Sequence, residues 1–141
     1  MKVLIIDDYE GTAATLQKRF ESMGHEADYI SDVYQAVEMC KTDEIEQYDF
    51  FIIDLYLNGV NGIDIFRMLN EKSLGGKVVF ITGCNGTTDI FKIALQTNRP
   101  LVMKKFNSKQ LIKSLVDGST SEWATQLMMS KGVSKESILS I

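Results

Sequence analysis

Residues 50–54 read Phe-Phe-Ile-Ile-Asp, and this stretch decides the fold: four consecutive apolar residues end on a carboxylate. A strand with one face in water alternates apolar and polar side chains, whereas continuous apolarity indicates a strand covered on both faces, as in a parallel sheet. Similar runs occur at residues 3–6, 78–81 and 101–103. The more mixed segment 27–30 predicts an edge strand.

Amphipathic segments separate these runs. Apolar residues at spacings of three and four predict five helices, which carry Leu16 and Phe20, Val33 and Val37, Ile65 and Leu69, Ile90 and Ala94, and Leu111 and Leu115. Five alternations of strand and helix predict an α/β fold, a doubly wound five-stranded parallel sheet flanked by five helices. Trp123, Ala124, Leu127 and Met128 predict a sixth, short helix. We therefore divide the chain into a domain over residues 1–117 and a C-terminal helical extension over residues 118–141.

Composition excludes several classes of protein. The 141 residues suffice for one domain, and a net charge of -4 argues against direct binding of nucleic acid. No apolar stretch approaches the roughly 20 residues of a membrane span, and the first residues do not form a signal peptide. We therefore expect a soluble, cytoplasmic protein without membrane association. Cys40 and Cys84 fit neither a disulfide framework nor a zinc site, and His25 is assigned no catalytic role.

Polar residues follow the apolar runs where each predicted strand ends. They are Asp7 and Asp8, Asp54, Thr82 and Lys104. The carboxyl ends of neighbouring parallel strands meet at one edge, so these side chains should converge. Three crowded carboxylates repel one another and favour a hard divalent cation, of which Mg²⁺ is the usual one where phosphate is handled. A carboxylate can act as a covalent nucleophile towards phosphorus, and an adjacent hydroxyl and ammonium complete a site for phosphoryl transfer.

Four motifs together resemble the response-regulator receiver family of two-component signalling, over about residues 1–117. They are Val-Leu-Ile-Ile-Asp-Asp at 3–8, Ile-Ile-Asp at 52–54 with Gly62 eight positions later, Phe-Ile-Thr-Gly at 80–83 and Met-Lys-Lys-Phe at 103–106. The resemblance implies the flavodoxin-like receiver fold. It also implies a single-domain regulator, similar to those of chemotaxis, that is a phosphoacceptor and catalyses only its own phosphorylation and dephosphorylation.

By this resemblance, Asp54 accepts a phosphoryl group from a sensor histidine kinase or a histidine phosphotransfer protein. Asp8, Asp54 and the backbone carbonyl of Tyr56 would hold Mg²⁺, and Asp7 would act partly through water. Lys104 would assist the transfer, and the Thr82 hydroxyl would turn towards the phosphate.

Three positions depart from the family pattern. Asn58 replaces the usual proline four residues after the phosphoacceptor, and Lys105 replaces the proline that usually follows the lysine. A cis bond before a non-proline residue costs about 3 kcal/mol, so the Lys104–Lys105 bond could be trans or strained. Leu101 occupies the aromatic switch position, where it cannot support the usual threonine–aromatic coupling. Tyr56 and Cys84 occupy positions that modulate the loss of phosphate in the family.

The output of the domain is expected to be a protein–protein contact with an unknown downstream partner. Phe91 and Leu95 widen the apolar arc of the fourth helix, so this face either forms a partner surface or is broadly buried. The extension packs on the domain itself or on a second copy of the chain, which would give a homodimer.

Two other functions are compatible with parts of the sequence. The first is a phosphorylation-independent interaction module on the same fold, which the changes at Asn58, Leu101 and Lys105 motivate. The second is a hydrolase with an aspartyl nucleophile. Such an enzyme needs an acid-base group, and Tyr56 stands two residues after Asp54 in place of a second carboxylate.

Overall fold

A computed structural model describes residues 1–83 and 88–133 of the chain. Five parallel strands form one sheet in the spatial order β2-β1-β3-β4-β5. The strands are β1 (Lys2–Ile6), β2 (Glu26–Ile30), β3 (Phe50–Asp54), β4 (Val78–Thr82) and β5 (Leu101–Met103). The predicted five-stranded parallel sheet is therefore confirmed, and the mixed segment at 27–30 belongs to an edge strand as expected.

Within the described residues, four α-helices lie between successive strands and two follow β5. They are α1 (Glu10–Ser22), α2 (Val33–Cys40), α3 (Gly62–Glu71), α4 (Asp89–Gln96), α5 (Ser108–Asp117) and α6 (Thr120–Ser130). The five predicted helices are confirmed, as is a helix in the C-terminal extension, whose residues 134–141 lie outside the described residues. Across residues 1–83 and 88–133, no helix combines the length and the apolar character that crossing a membrane requires.

The sheet is buried on both faces, which explains the unbroken apolar runs. Phe51 and Ile53 of β3 point into the core layer that includes residues of α2, α3 and α4, whereas Ile52 points into the layer that includes residues of α1 and α5. All three side chains are fully buried. Each central strand therefore has two apolar faces, and its polar residues can lie only where the strand leaves the core.

Helix α6 covers the edge of the sheet beside β5. Its Ala124 and Met128 are buried, and they contribute to the two different core layers. Trp123 meets the Phe106 ring edge-on, with 6.4 Å between the ring centroids. Helix α6 therefore packs on its own domain, and it covers an edge strand whose backbone would otherwise be open to pairing with other chains.

The face of α4 that contains Phe91 and Leu95 is buried. Phe91 is 0% exposed and Leu95 is 8% exposed, because this side of the helix faces the same core layer as Leu101. The prediction of a partner surface formed by Phe91 and Leu95 is therefore wrong. The broader apolar arc reflects deep burial of α4, and Ile93 is its more exposed apolar residue, at 38%.

Cys40 is a core residue at the end of α2, as its helical spacing indicates. The side chain is buried, and burial raises the pKa of its thiol to about 11. The thiolate is therefore scarce at neutral pH, which makes Cys40 a poor nucleophile. Cys84 lies outside the described residues.

Gly62 starts α3 where the helix approaches the end of β3. Its backbone N–H donates to the Leu55 carbonyl at 2.9 Å. A Cβ at this position would lie 2.5 Å from the Asp54 carbonyl oxygen and 3.0 Å from the Leu55 Cα. Both neighbours are backbone atoms that cannot rotate away, so a glycine is needed to hold the end of β3 in place.

We expect Gly62→Ala to lower the free energy of unfolding by about 1–3 kcal/mol, the range for forcing extra volume into a packed site. Gly76→Ala is the matched control, because a Cβ at Gly76 would meet no heavy atom within 4 Å. Urea denaturation followed by circular dichroism measures both variants. Equal stability of the two variants would show that the contact between α3 and the end of β3 is not tight.

Candidate functional site

The carboxyl ends of four strands meet at one edge of the sheet. Asp7 and Asp8 follow β1, Asp54 ends β3, Thr82 ends β4 and Lys104 follows β5. The register is continuous across this edge, since Asp54 pairs with Ile81 and Thr82 pairs with Met103. The structure therefore brings the polar residues at the strand ends to a common edge.

Three carboxylates form the centre of the site. Asp7, Asp8 and Asp54 each offer an oxygen that lies within 4.8 Å of the oxygens of the other two. Asp7 is fully buried, Asp54 is nearly so, and Asp8 is partly exposed. The cluster is therefore reached from solvent on the side of Asp8, whereas Asp7 forms its floor.

Backbone amides from the adjoining loops hold each carboxylate. Asp7 Oδ1 accepts from the Tyr9 amide at 3.0 Å, and Asp54 Oδ1 accepts from the Tyr56 amide at 3.1 Å. Asp8 Oδ2 accepts from the amide of Asn58 at 3.2 Å. These bonds orient the carboxylates towards one another despite their mutual repulsion.

Lys104 supplies the positive charge of the cluster. Its Nζ donates to Asp54 Oδ2 at 2.8 Å and to Asp7 Oδ2 at 3.4 Å. Burial alone lowers the pKa of the Lys104 ammonium, but the hydrogen bond and charge of Asp54, together with Asp7, outweigh burial and raise that pKa. The backbone amide of Lys104 donates to the Thr82 carbonyl at 2.7 Å, which fixes the start of the lysine side chain beside β4.

The charge of the cluster is not balanced by Lys104. Burial raises the pKa of the Asp7 carboxyl, and the charge of Asp54 raises it further, against the opposing effects of the Tyr9 amide and Lys104. Three carboxylates face one ammonium, so an excess of negative charge remains. A divalent cation with oxygen ligands would relieve it.

Of the other predicted site residues, Thr82 and Tyr56 lie at the polar site and Leu101 does not. Thr82 is fully buried at the end of β4, and Tyr56 lies on the rim with 36% of its surface exposed. Leu101 is part of the core and is not part of the polar site. No peptide bond within the described ranges is cis, so the Lys104–Lys105 bond is trans. His25 lies just before β2, at the amino ends of the strands and therefore at the other end of the sheet from the site. Its Nδ1 is 3.2 Å from the Met1 amine.

Two contacts of the loop after β3 were not foreseen from the sequence. The Asn58 amide bonds Asp8, which is possible because Asn58 is not a proline and keeps its N–H. The Tyr56 hydroxyl forms a hydrogen bond with the Thr88 hydroxyl at the start of α4. The replacement of proline at position 58 was a visible signal of the first contact, whereas the second joins residues 32 positions apart and left no local pattern.

A groove of about 460 Å³ runs beside the acidic cluster. It lies between the first turns of α1 and the segment that joins β5 to α5. Its lining combines apolar, hydroxyl and cationic side chains: Tyr9, Thr12, Thr15, Leu16, Lys104, Lys105, Phe106 and Ser108.

Comparison with known proteins gives a consistent result. The family model described as "Response regulator receiver domain" matches residues 3–116. The DNA-binding response regulator MtrA of Mycolicibacterium smegmatis is 31% identical over 112 residues, which cover 79% of this chain and 47% of MtrA. The sensory/regulatory protein RpfC of Xanthomonas campestris pv. campestris is 26% identical over 86% of this chain and 17% of RpfC. The chain thus spans less than half the length of these two relatives.

Solved structures share the fold. A CheY-like receiver domain protein from Methanospirillum hungatei aligns over 89% of this chain and 96% of its own, with a TM-score of 0.70 and 15% identity. The response regulator TrrA of Thermotoga maritima, solved in complex with Mg²⁺ and BeF, aligns over 82% of this chain and 96% of its own, with a TM-score of 0.64 and 21% identity. From the matched family model, the order of the strands and the relatives, we conclude that this chain belongs to the response regulator receiver domain family of two-component signalling.

Proposed function

We propose that Asp54 accepts a phosphoryl group from a phosphohistidine of a sensor histidine kinase or a histidine phosphotransfer protein. One observation carries the proposal: Lys104 Nζ lies 2.8 Å from Asp54 Oδ2, beside two further carboxylates. An ammonium in this position can neutralise charge on a phosphoryl oxygen, and the carboxylate can act as the nucleophile.

The donor set fits Mg²⁺. Its side chains offer only oxygen, which suits a hard cation, and nitrogen or sulfur ligands of the kind that zinc prefers are missing from the set. Asp8, Asp54 and the backbone carbonyl of Tyr56 would hold the ion, with Asp7 acting partly through water. When bound, Mg²⁺ would neutralise charge on the phosphoryl oxygens.

In the transfer, an oxygen of Asp54 forms a bond to phosphorus while the bond between phosphorus and the donor's imidazole nitrogen breaks. The electron pair of that bond leaves with the imidazole, and the product is an aspartyl phosphate. Lys104 stays paired with a carboxylate or phosphoryl oxygen throughout, and the Thr82 hydroxyl donates to another phosphoryl oxygen. Positioning and electrostatics dominate such a step.

The groove beside Lys104 supports docking of the phosphodonor. Tyr9 and Phe106 supply apolar surface, and Lys105 adds an exposed cation next to the reacting edge. A donor helix in the groove would bring its histidine to the open side of the acidic cluster, where Asp8 is partly exposed.

The geometry bears on both alternatives. A phosphorylation-independent module would not require a buried carboxylate paired with a lysine, and removing these charges from water costs free energy of folding. For a hydrolase, the group that follows Asp54 by two residues is a tyrosine whose hydroxyl bonds Thr88, not a carboxylic acid. We therefore propose a phosphoacceptor with a cytoplasmic location and output by protein–protein contact.

Incubation with acetyl phosphate and Mg²⁺ should add one phosphoryl group, about 80 Da, to the intact protein. Asp54→Asn, which keeps the size of the side chain, should remain unmodified, as should the wild type with excess chelator. Intact mass spectrometry measures all three. If the wild type gains no mass and its NMR spectrum does not respond to beryllofluoride with Mg²⁺, Asp54 is not a phosphoacceptor.

Mg²⁺ titration should shift the backbone amide resonances of Tyr9, Tyr56 and Asn58, because these three amides donate to the three carboxylates. Asp8→Asn should weaken the affinity at least about tenfold, since it removes the negative charge of one ligand. The Gly24 amide, which lies beyond the far end of α1 and donates to the Glu21 carbonyl, serves as the reference. A titration that gives the same affinity in both proteins would favour the phosphorylation-independent module.

Asp7→Asn should stabilise the protein without Mg²⁺ at pH 7, by about 0.5–2 kcal/mol. The pKa of Asp7 is raised in the folded state, so the wild type loses stability as pH rises from the unfolded value of 3.8 through the folded value. The variant lacks this loss, and the two proteins should converge below pH 4. Thermal melts at several pH values measure the difference.

Added Mg²⁺ should reverse this order, because a ligand that binds only the folded state stabilises the wild type by mass action. If Asp7→Asn is less stable than the wild type at pH 7 without Mg²⁺, the acidic cluster does not carry an excess of negative charge that destabilises the fold.

A further inference from the structure

Tyr56 connects the candidate phosphoacceptor to the start of α4. Its backbone amide donates to Asp54 Oδ1 at 3.1 Å, and its hydroxyl is hydrogen-bonded to the Thr88 hydroxyl. We propose that Tyr56 couples the state of Asp54 to the first turn of α4 through Thr88, an inference that rests on the proposed phosphorylation of Asp54. The coupling makes Tyr56 and Thr88 the switch pair of this chain.

The loop after β3, residues 55–61, is attached to the carboxylates whose charge would change. Tyr56 is attached through its amide to Asp54, and Asn58 is attached through its amide to Asp8 at 3.2 Å. A proline at position 58 could not donate the second bond. Phosphorylation of Asp54 alters one acceptor and cation binding alters the other, so both events change the position of this loop.

Thr88 is the N-cap of α4. Its hydroxyl oxygen accepts from the Phe91 amide at 3.3 Å, and its carbonyl accepts from the Lys92 amide at 3.2 Å. The Thr88 hydroxyl is therefore shared between the first turn of the helix and Tyr56. Because α4 has only eight residues, its stability depends strongly on such end contacts and on packing.

The interior of the protein offers no equivalent polar connection at position 101. Leu101 is 1% exposed, and its side chain has no hydrogen-bonding group. It therefore cannot form or break a hydrogen bond when the Thr82 hydroxyl moves. The Tyr56–Thr88 bond lies instead at the N-cap of α4, where Tyr56 is 36% exposed. It provides the polar connection that a leucine at position 101 cannot provide.

The test compares hydrogen exchange of the Phe91 and Lys92 amides between the free protein and the beryllofluoride–Mg²⁺ form. The wild type should show a change in exchange rate at these amides on activation. Tyr56→Phe removes only the hydroxyl and should reduce that change about two- to tenfold, because the net contribution of one hydrogen bond corresponds to a factor of this size. Thr88→Ser keeps the hydroxyl and should behave as the wild type.

Tyr34→Phe is the matched control. Tyr34 is another exposed tyrosine next to the same loop, since a Cβ at Gly59 would lie 2.8 Å from its hydroxyl oxygen. This variant should retain the full change at Phe91 and Lys92. A loss equal to that of Tyr56→Phe would mean that any hydroxyl beside the loop has the effect, and would overturn the specific role of Tyr56.

Intact mass after acetyl phosphate separates this inference from the proposed function. If Tyr56→Phe gains the phosphoryl mass and keeps the wild-type change at α4, the coupling is wrong while the phosphoacceptor stands. The coupling is also wrong if the wild type is phosphorylated with no change at α4. If the wild type accepts no phosphoryl group and does not respond to beryllofluoride, the proposed function and the coupling both fail.

Discussion

The ion pair of Lys104 with Asp54 and Asp7 is the interaction on which the candidate site depends. Three carboxylates within 4.8 Å of one another would separate without a cation, and Lys104 Nζ holds two of them at 2.8 and 3.4 Å. The pairing is incomplete, because the raised pKa of Asp7 reflects a buried carboxyl whose negative charge is poorly compensated. A stable but unbalanced cluster is a suitable place to bind a cation and a phosphoryl group.

The fold provides this arrangement at the end of a rigid sheet. Both faces of β3 are buried, so Asp54 leaves the core in a fixed direction, and α3 begins so close to it that Gly62 has no room for a Cβ. The Lys104 amide is bonded to the Thr82 carbonyl, which fixes the lysine relative to β4. Precision at the site thus comes from packing and backbone hydrogen bonds, whereas the loop after β3 remains the adjustable part.

That loop contains one of the departures from the family pattern, Asn58, and a polar connection to α4. Asn58 contributes an amide to Asp8 that a proline would lack, and Tyr56 extends from Asp54 to the N-cap of α4. Leu101, in turn, is an ordinary core residue. Altered switch residues therefore do not imply an inert domain, since a polar connection between the carboxylates and α4 exists by another route.

The sequence by itself determined the strands, the five helices and the helix of the extension, because buried parallel strands and amphipathic helices have distinct periodicities. It also determined which residues meet at the edge of the sheet, since parallel strands align their carboxyl ends. The tertiary structure alone decided that Phe91 and Leu95 are buried, that α6 covers β5 and that Tyr56 meets Thr88. Helical spacing identifies an apolar face without showing what covers it, and a contact between distant residues has no local pattern.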